Sequence, residues 1–366
     1  MTAKRIFILC GEASGDLHAA NLVREWKAMD SEVVFKAWGG DRLKAENVEV
    51  LKHIKDLSYM GFVEVLKHFF TILRNFKECK ETLLEFNPDA VILVDFPGFN
   101  LRIARWAKER NIKVIYYISP QLWAWKQGRI KQVKRNVDHM YCILPFEKAF
   151  YQEHNFSISY YGHPLLDEVS RFRNLEDRLN LGPKPVIALL PGSRVQEIRR
   201  KLPIMLKAVN HITDHQIVIA CSDQISPEVF QVFDTNHAKL VFGRTYEVLN
   251  VAKLAIVTSG TATLESALFR VPQVVCYKSN FLSYLIARQV VQVKYISLVN
   301  LILNEPLVLE LIQQHCTENS IKAEVLKMIE NNNHRAALCA GYDRLIKELG
   351  SEGASKRIAK SMLETF

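Results

Sequence analysis

The strongest constraint on this chain is a pattern that runs along it twice. Short, almost uninterrupted apolar runs rich in β-branched residues alternate with longer segments of helical period. The runs are RIFILC, EVVFKAWG, AVILVDF, KVIYYIS and HMYCIL, then PVIALL, QIVIA, KLVFG and KLAIVTS. A strand that is apolar at every position is buried on both faces, and the helices between such strands supply the cover. The chain therefore reads as α/β with doubly wound parallel sheets. Each half opens the same way, with a strand, a small-residue loop and a helix, first at 5–16 and again at 185–198. A length of 366 residues accommodates two such domains. Residues 160–185 lose β character and gain charge, glycine and proline, which puts the linker there. The expected boundaries are 1–165 for a first domain and 166–335 for a second facing it across a cleft. Polar helices over 336–366 are expected to pack back toward an N-terminal domain. Such sheets bind ligands beyond the carboxyl ends of their strands, so the loops after the apolar runs are where chemistry is sought.

In the second half, PVIALL runs into Pro191-Gly192-Ser193-Arg194, followed by Glu197 and a helical segment. Small residues admit close backbone approach, a helix start offers free N–H groups, and Arg194 can grip a phosphate through two parallel hydrogen bonds. The same turn also serves plain tight packing. The strand KLAIV leads into TSGTATLE, where Ser259, Gly260 and Thr261 again suit a phosphate and Glu265, one turn in, is placed to hold ribose hydroxyls. The alternative is a threonine cap at Thr261 or Thr263, with Glu265 as a partner of the helix dipole.

The first half places Gly11-Glu12-Ala13-Ser14-Gly15-Asp16 directly after its first strand. This loop lacks the G-x-G-x-x-G spacing, which argues against a nicotinamide dinucleotide. Its two acids would repel a pyrophosphate and better suit a hydroxylated acceptor. Asp95 ends an otherwise wholly apolar strand in VDFPGFN. There a carboxylate is partly desolvated and becomes a candidate general base, unless it only caps the turn made by Pro97 and Gly98. Ser119–Trp125, SPQLWAW, adds aromatic surface to the same rim or is a packed loop, and His163 reads as structural.

Residues 61–76, GFVEVLKHFFTILRNF, form an amphipathic helix whose apolar side, with Phe62, Leu66, Phe69, Phe70 and Leu73, covers about 180° of the wheel. A core-packed helix needs only about 100°, so the excess suits bilayer lipid or acyl chains, or else a domain interface. A net charge of +9 favours an anionic partner. KQGRIKQVKR at 126–135 is the densest basic stretch, but no nucleic-acid motif accompanies it. Seven cysteines without a C-x-x-C pair indicate a reduced cytosolic protein, and no Asp-x-Asp pair suggests a metal; no cofactor is expected. The start of the chain is too short in apolar residues for a signal peptide, and no apolar run is long enough to span a bilayer.

GEASGD, MGFVEVL, VDFPGFN, YISPQLWAW, LPFEKAFY, YYGHPL, LLPGSR with EI, TSGTATLE and YISLVNLIL occur in this order from about Cys10 to Leu303. With them the sequence resembles the lipid-A-disaccharide synthase family, inverting glycosyltransferases of the GT-B type with two Rossmann-like domains. The resemblance implies a UDP-2,3-diacylglucosamine donor and a 2,3-diacylglucosamine 1-phosphate (lipid X) acceptor. The products are then a β-1,6-linked disaccharide 1-phosphate and UDP. It also implies attachment to the anionic cytoplasmic face of the inner membrane of a Gram-negative bacterium, through the segment matching 61–76. Asp95 matches the family's proposed base and Glu12 an acid that assists it or orients the hydroxyl. Arg194 matches a UDP-contacting arginine, Ser259, Gly260 and Thr261 the phosphate-facing helix start, Glu265 a ribose-side acid and Asn300 a polar residue of the nucleotide pocket. Where the family often has a second Asp, this chain has Gly98. A UDP-sugar epimerase of the same fold is the close alternative, and a homodimer, with or without exchange of C-terminal helices, is compatible with the pattern.

Overall fold

The computed structural model describes residues 3–57, 69–125, 127–172, 179–280, 284, 288–289, 291 and 293–366. They form two compact units, Met1–Pro164 with Glu352–Phe366, and Leu165–Ser351.

The first unit is built on a seven-stranded sheet in the order β3-β2-β1-β4-β5-β6-β7, with every neighbouring pair parallel. Its strands are β1 (Arg5–Cys10), β2 (Val34–Gly39), β3 (Glu49–His53), β4 (Ala90–Val94), β5 (Lys113–Tyr117), β6 (His139–Cys142) and β7 (Ser159–Tyr160). The uninterrupted apolar runs are explained by the period of two. Phe7, Leu9, Val91 and Leu93 join one core cluster, while Ile6, Ile8, Ala90 and Ile92 join another on the opposite face. Fully burying each of these larger side chains contributes about 1.5–3 kcal/mol.

The second unit repeats the plan with six parallel strands in the order β10-β9-β8-β11-β12-β13. These are β8 (Val186–Leu190), β9 (Gln216–Cys221), β10 (Ala238–Phe242), β11 (Ala252–Thr258), β12 (Gln273–Tyr277) and β13 (Leu309–Ile312). In both sheets the winding direction reverses once, between β1 and β4 and between β8 and β11. At that switch the flanking loops part and leave a crevice at the carboxyl ends of the strands.

The C-terminal boundary differs from the sequence expectation. The helix Asn332–Leu349 stays with the second unit, and only Glu352–Phe366 joins the first. The separation is physical: Tyr342, Leu345 and Leu349 are buried in the second unit's core, whereas Ile358, Ala359 and Met362 of the helix Ala354–Leu363 complete the first unit's. Arg357 donates to the Tyr161 carbonyl at 2.9 and 3.1 Å, and Tyr161 donates to Ser361 Oγ at 3.0 Å. Phe366 lies 5.9 Å from Trp26 with the Lys113 ammonium 4.7 Å from its ring. Among the described residues no helix is long and apolar enough to cross a membrane.

Candidate active site

The switch point of the first unit joins the loops after β1 and β4. Gly11 is required there, because a Cβ on it would lie 2.3 Å from the Phe96 ring. Phe96 and Asp95 both take left-handed backbone, at φ 49° and 46°, a strained conformation for residues that are not glycine. Three hydrogen bonds hold the Asp95 backbone in it. Its N–H donates to the Tyr117 carbonyl at 3.0 Å, and its carbonyl accepts from the Asn100 amide at 2.7 Å and the Tyr116 hydroxyl at 2.6 Å. Pro97 then opens the helix Pro97–Lys108. Glu12 is the N-cap of the helix Ala13–Met29 in extended backbone and makes no capping bond with its side chain. Burial pushes the Asp95 carboxyl up to about 7, the charge of Glu12 adds to the rise, the Phe96 N–H opposes it and Glu147 adds again. A carboxylate so placed is half ionised near neutrality, where a base both exists and has drive.

Asp16, the other acid of the loop, has a structural task. It is buried and accepts from the backbone N–H groups of Gly40 at 2.7 Å, Arg42 at 3.0 Å and Leu43 at 3.4 Å, holding the turn after β2. Both of its carboxylate oxygens are engaged in that turn. At Gly98 a Cβ would meet open space, so no packing demand explains the departure from Asp.

The switch point of the second unit brings together the loops after β8 and β11. Gly192 sits at φ 118°, and a Cβ there would lie 2.2 Å from a Glu197 oxygen. Ser193 is exposed, and Arg194 caps the helix Val195–Val209 with its side chain half exposed. Glu197 accepts from Arg194 at 3.3 Å and lies 3.8 Å from the ammonium of buried Lys201, so one carboxylate faces two cations. After β11, Gly260 at φ 150° leads into the helix Thr261–Leu268. Ser259 is spent internally, its N–H on the Cys276 carbonyl at 3.0 Å and its hydroxyl on Ile296 at 2.9 Å. Gly260, the N-cap, gives the helix no side-chain cap, and Thr263 instead donates its hydroxyl back to the Gly260 carbonyl at 2.8 Å and accepts from the Leu298 N–H at 3.3 Å. Thr261 is half-buried at the first helical position. Glu265 accepts from Tyr246 at 2.9 Å, and burial pushes its carboxyl up to about 7.

Asn300 is buried, and its amide is wholly turned inward. Nδ2 donates to the Val308 carbonyl and to Glu310 Oε1, both at 2.9 Å, and Oδ1 accepts from the Val308 N–H at 2.9 Å. Glu310 was not legible in the sequence, yet it gathers this corner. Its carboxylate accepts from Ile296 N at 3.0 Å, Ser297 N at 2.9 Å and Ser297 Oγ at 2.7 Å as well as from Asn300. The only signal for it was a charge in the apolar run VLELI.

Of the amphipathic segment, Phe62 and Leu66 lie outside the described residues, and the helix Phe69–Phe86 begins at Phe69. Phe70 is 84% and Leu73 46% exposed, while Phe76 stacks on Phe99 at 4.1 Å, on the helix that follows Asp95.

The sequence model of the lipid-A-disaccharide synthetase family matches residues 6–365. The lipid-A-disaccharide synthase of Myxococcus xanthus is 39% identical over 98% of this chain and 97% of that one. The chain belongs to the lipid-A-disaccharide synthase family. Members are glycosyltransferases, and so is this chain. Its fold is similar to that of UDP-GlcNAc 2-epimerase from Neisseria meningitidis, with a TM-score of 0.68 and 12% identity over 98% of this chain and 100% of that one. The glycosyltransferase of kitacinnamycin is alike to the same degree, with a TM-score of 0.66 and 12% identity over the full length of both. Both likenesses concern the GT-B architecture. For a lipid-A-disaccharide synthase, that architecture puts the residues named above at two switch points, Glu12 and Asp95 in one unit and Ser193, Arg194, Ser259, Gly260, Thr261 and Glu265 in the other.

Proposed function

We propose that this lipid-A-disaccharide synthase transfers 2,3-diacylglucosamine from UDP-2,3-diacylglucosamine to the 6-hydroxyl of lipid X. Asp95 takes the hydroxyl proton as the oxygen attacks the anomeric carbon from the side opposite the diphosphate. The bond to the diphosphate breaks, its electron pair leaves with UDP, and the configuration inverts to β. The observation that carries this reading is the Asp95 carboxyl at the end of β4, backbone-locked and pushed up to about 7 beside Glu12. Glu12 orients the attacking hydroxyl. On the donor side Arg194 and the start of the helix Thr261–Leu268 meet the diphosphate, whose charge grows as it leaves. Glu265, kept near neutrality, exchanges hydrogen bonds with ribose hydroxyls, and Ser193 adds a donor in the Gly192 turn. Asn300 contributes through the ordered corner behind this site. Phe70 and Leu73, with Phe62, Leu66 and Phe69 before and beside them, touch acyl chains at the cytoplasmic surface of an anionic membrane, to which the basic surplus draws the enzyme.

The test is incubation of purified protein with UDP-2,3-diacylglucosamine and lipid X in mixed micelles. Mass spectrometry should find the tetraacyl disaccharide 1-phosphate and an equal amount of UDP. Turnover of soluble UDP-N-acetylglucosamine without acylated acceptor would favour the epimerase reading instead, which has a shared fold alone behind it.

A further inference from the structure

A second buried carboxyl faces the acceptor side, and the reaction as derived gives it nothing to do. Glu147 follows β6 and is 1% exposed. It accepts from Ser119 Oγ at 2.5 Å and Trp123 Nε1 at 3.1 Å through one oxygen, and from the Leu144 N–H at 3.1 Å through the other. Among the described residues it forms no ion pair, so its charge is held by neutral donors alone. A buried carboxylate without a cation is expensive, and such groups concentrate at functional sites.

The topology says what it faces. β4, β5 and β6 are consecutive parallel neighbours in register, Val94 beside Tyr117 and Tyr117 beside Tyr141. The ladder continues past their ends, with Asp95 N–H on the Tyr117 carbonyl at 3.0 Å and Ile118 N–H on the Tyr141 carbonyl at 2.9 Å. Asp95, Ser119 and Glu147 thus leave the same edge of the sheet one strand apart, and the field of Glu147 reaches Asp95.

We propose that Glu147 is a positioning residue for the transfer reaction: it fixes the Ser119–Trp123 loop beside the acceptor and places its own carboxylate at the strand ends next to Asp95, where its charge acts on the base. This rests on the reading of Asp95 as the base. Other titratable or charged groups face the pair: Glu12 and Cys10 from the β1 end, Tyr116 from β5, Cys142 from β6 and Tyr151 from the helix that begins at Glu147, with Asp16 acting on Cys10, Arg129 on Tyr116 and Lys148 on Cys142. Burial raises the two thiols and the two phenols, so they stay neutral around pH 7. Asp95 and Glu147 are both pushed up to about 7, Glu147 by burial against the pull of Ser119, Trp123 and the Leu144 and Ile143 N–H groups. The charge of Glu147 is one of the causes that raise the Asp95 carboxyl, after burial and Glu12.

The experiment is the pH profile of kcat for disaccharide formation in Glu147→Gln. Removing the charge should move the acid limb down by about half a pH unit or more, with the limiting kcat several-fold lower because the base is weaker, and with KM for the UDP-sugar unchanged. Glu147→Asp should restore the limb toward its wild-type place, which a purely structural role does not require. Where Glu147→Gln does not fold, Ser119→Ala serves. It deprives the Glu147 anion of a donor, so Glu147 holds its proton to higher pH and the limb again moves down. A limb that stays in place in a folded variant overturns the proposal. A wild-type protein that makes no disaccharide would instead overturn the reading of the reaction.

Discussion

Asp95→Asn should abolish most activity while stabilising the first unit, and the stabilisation should depend on pH in a definite way. In the folded chain the Asp95 proton is lost near 7 rather than 3.8. A raised carboxyl affinity disfavours folding wherever the unfolded chain is ionised, from nothing below pH 3.8 to its full size above 7. At roughly 1.4 kcal/mol per unit, ionised Asp95 costs about 4 kcal/mol at pH 8 and about 1.5 kcal/mol at pH 5. Asparagine carries neither cost, so its advantage over the wild type should grow by about 2.5 kcal/mol between those pH values, or about 1 kcal/mol if water screens half of it. All five tryptophans, Trp26, Trp38, Trp106, Trp123 and Trp125, belong to the first unit, so urea unfolding followed by their fluorescence reports this unit alone. Loss of a general base should lower kcat by about 10²–10⁴, with UDP affinity near normal. An advantage that is flat with pH, or a variant that keeps its turnover, would show that Asp95 is an ordinary surface acid.

Other expectations follow from single contacts. Arg194→Ala should weaken UDP binding by about 1.5–3 kcal/mol, and unchanged affinity by calorimetry would remove Arg194 from the donor site. Gly11→Ala forces a methyl into the Phe96 ring, which is itself stacked on Phe99 at 5.6 Å. It should destabilise the first unit by about 1–3 kcal/mol and lower kcat, and a silent substitution would contradict the close approach. Phe70→Ser with Leu73→Ser should reduce sedimentation with anionic liposomes while leaving the urea midpoint in place, since both side chains are already exposed. A lost midpoint would make the pair part of the core.

What the sequence displayed and what it hid have physical causes. Central strands such as β4 were legible because burial on both faces leaves an apolar run, and Asp95 stood out as the charge that ends it. Strands β3, β7 and β13 were not, because all three lie at sheet edges, β7 is two residues long, and no residue of β3 is fully buried. β12 was missed as only four apolar residues after a glutamine. Glycine-loop chemistry misled at Asp16, whose partners lie some two dozen residues away around Gly40. Glu147 and Glu310 carry no local signature for the same reason: their donors sit on other loops, brought near only by the parallel stacking of strands. The C-terminal boundary was signalled by Gly350, at φ 93°, but the helix before it is polar enough on one side to resemble a detached tail.

The return of Glu352–Phe366 to the first unit gives the chain an unusual order of assembly. Ile358, Ala359 and Met362 cover the same core face as Ala19, Leu22 and Trp26, yet they leave the ribosome only after the whole second unit has emerged. During synthesis the nascent first unit must wait with an apolar helix uncovered, a surface on which chaperones bind and aggregation begins. The half that carries Asp95 begins first and finishes last, so a chain cut anywhere short of the helix Ala354–Leu363 has a first unit that never closes.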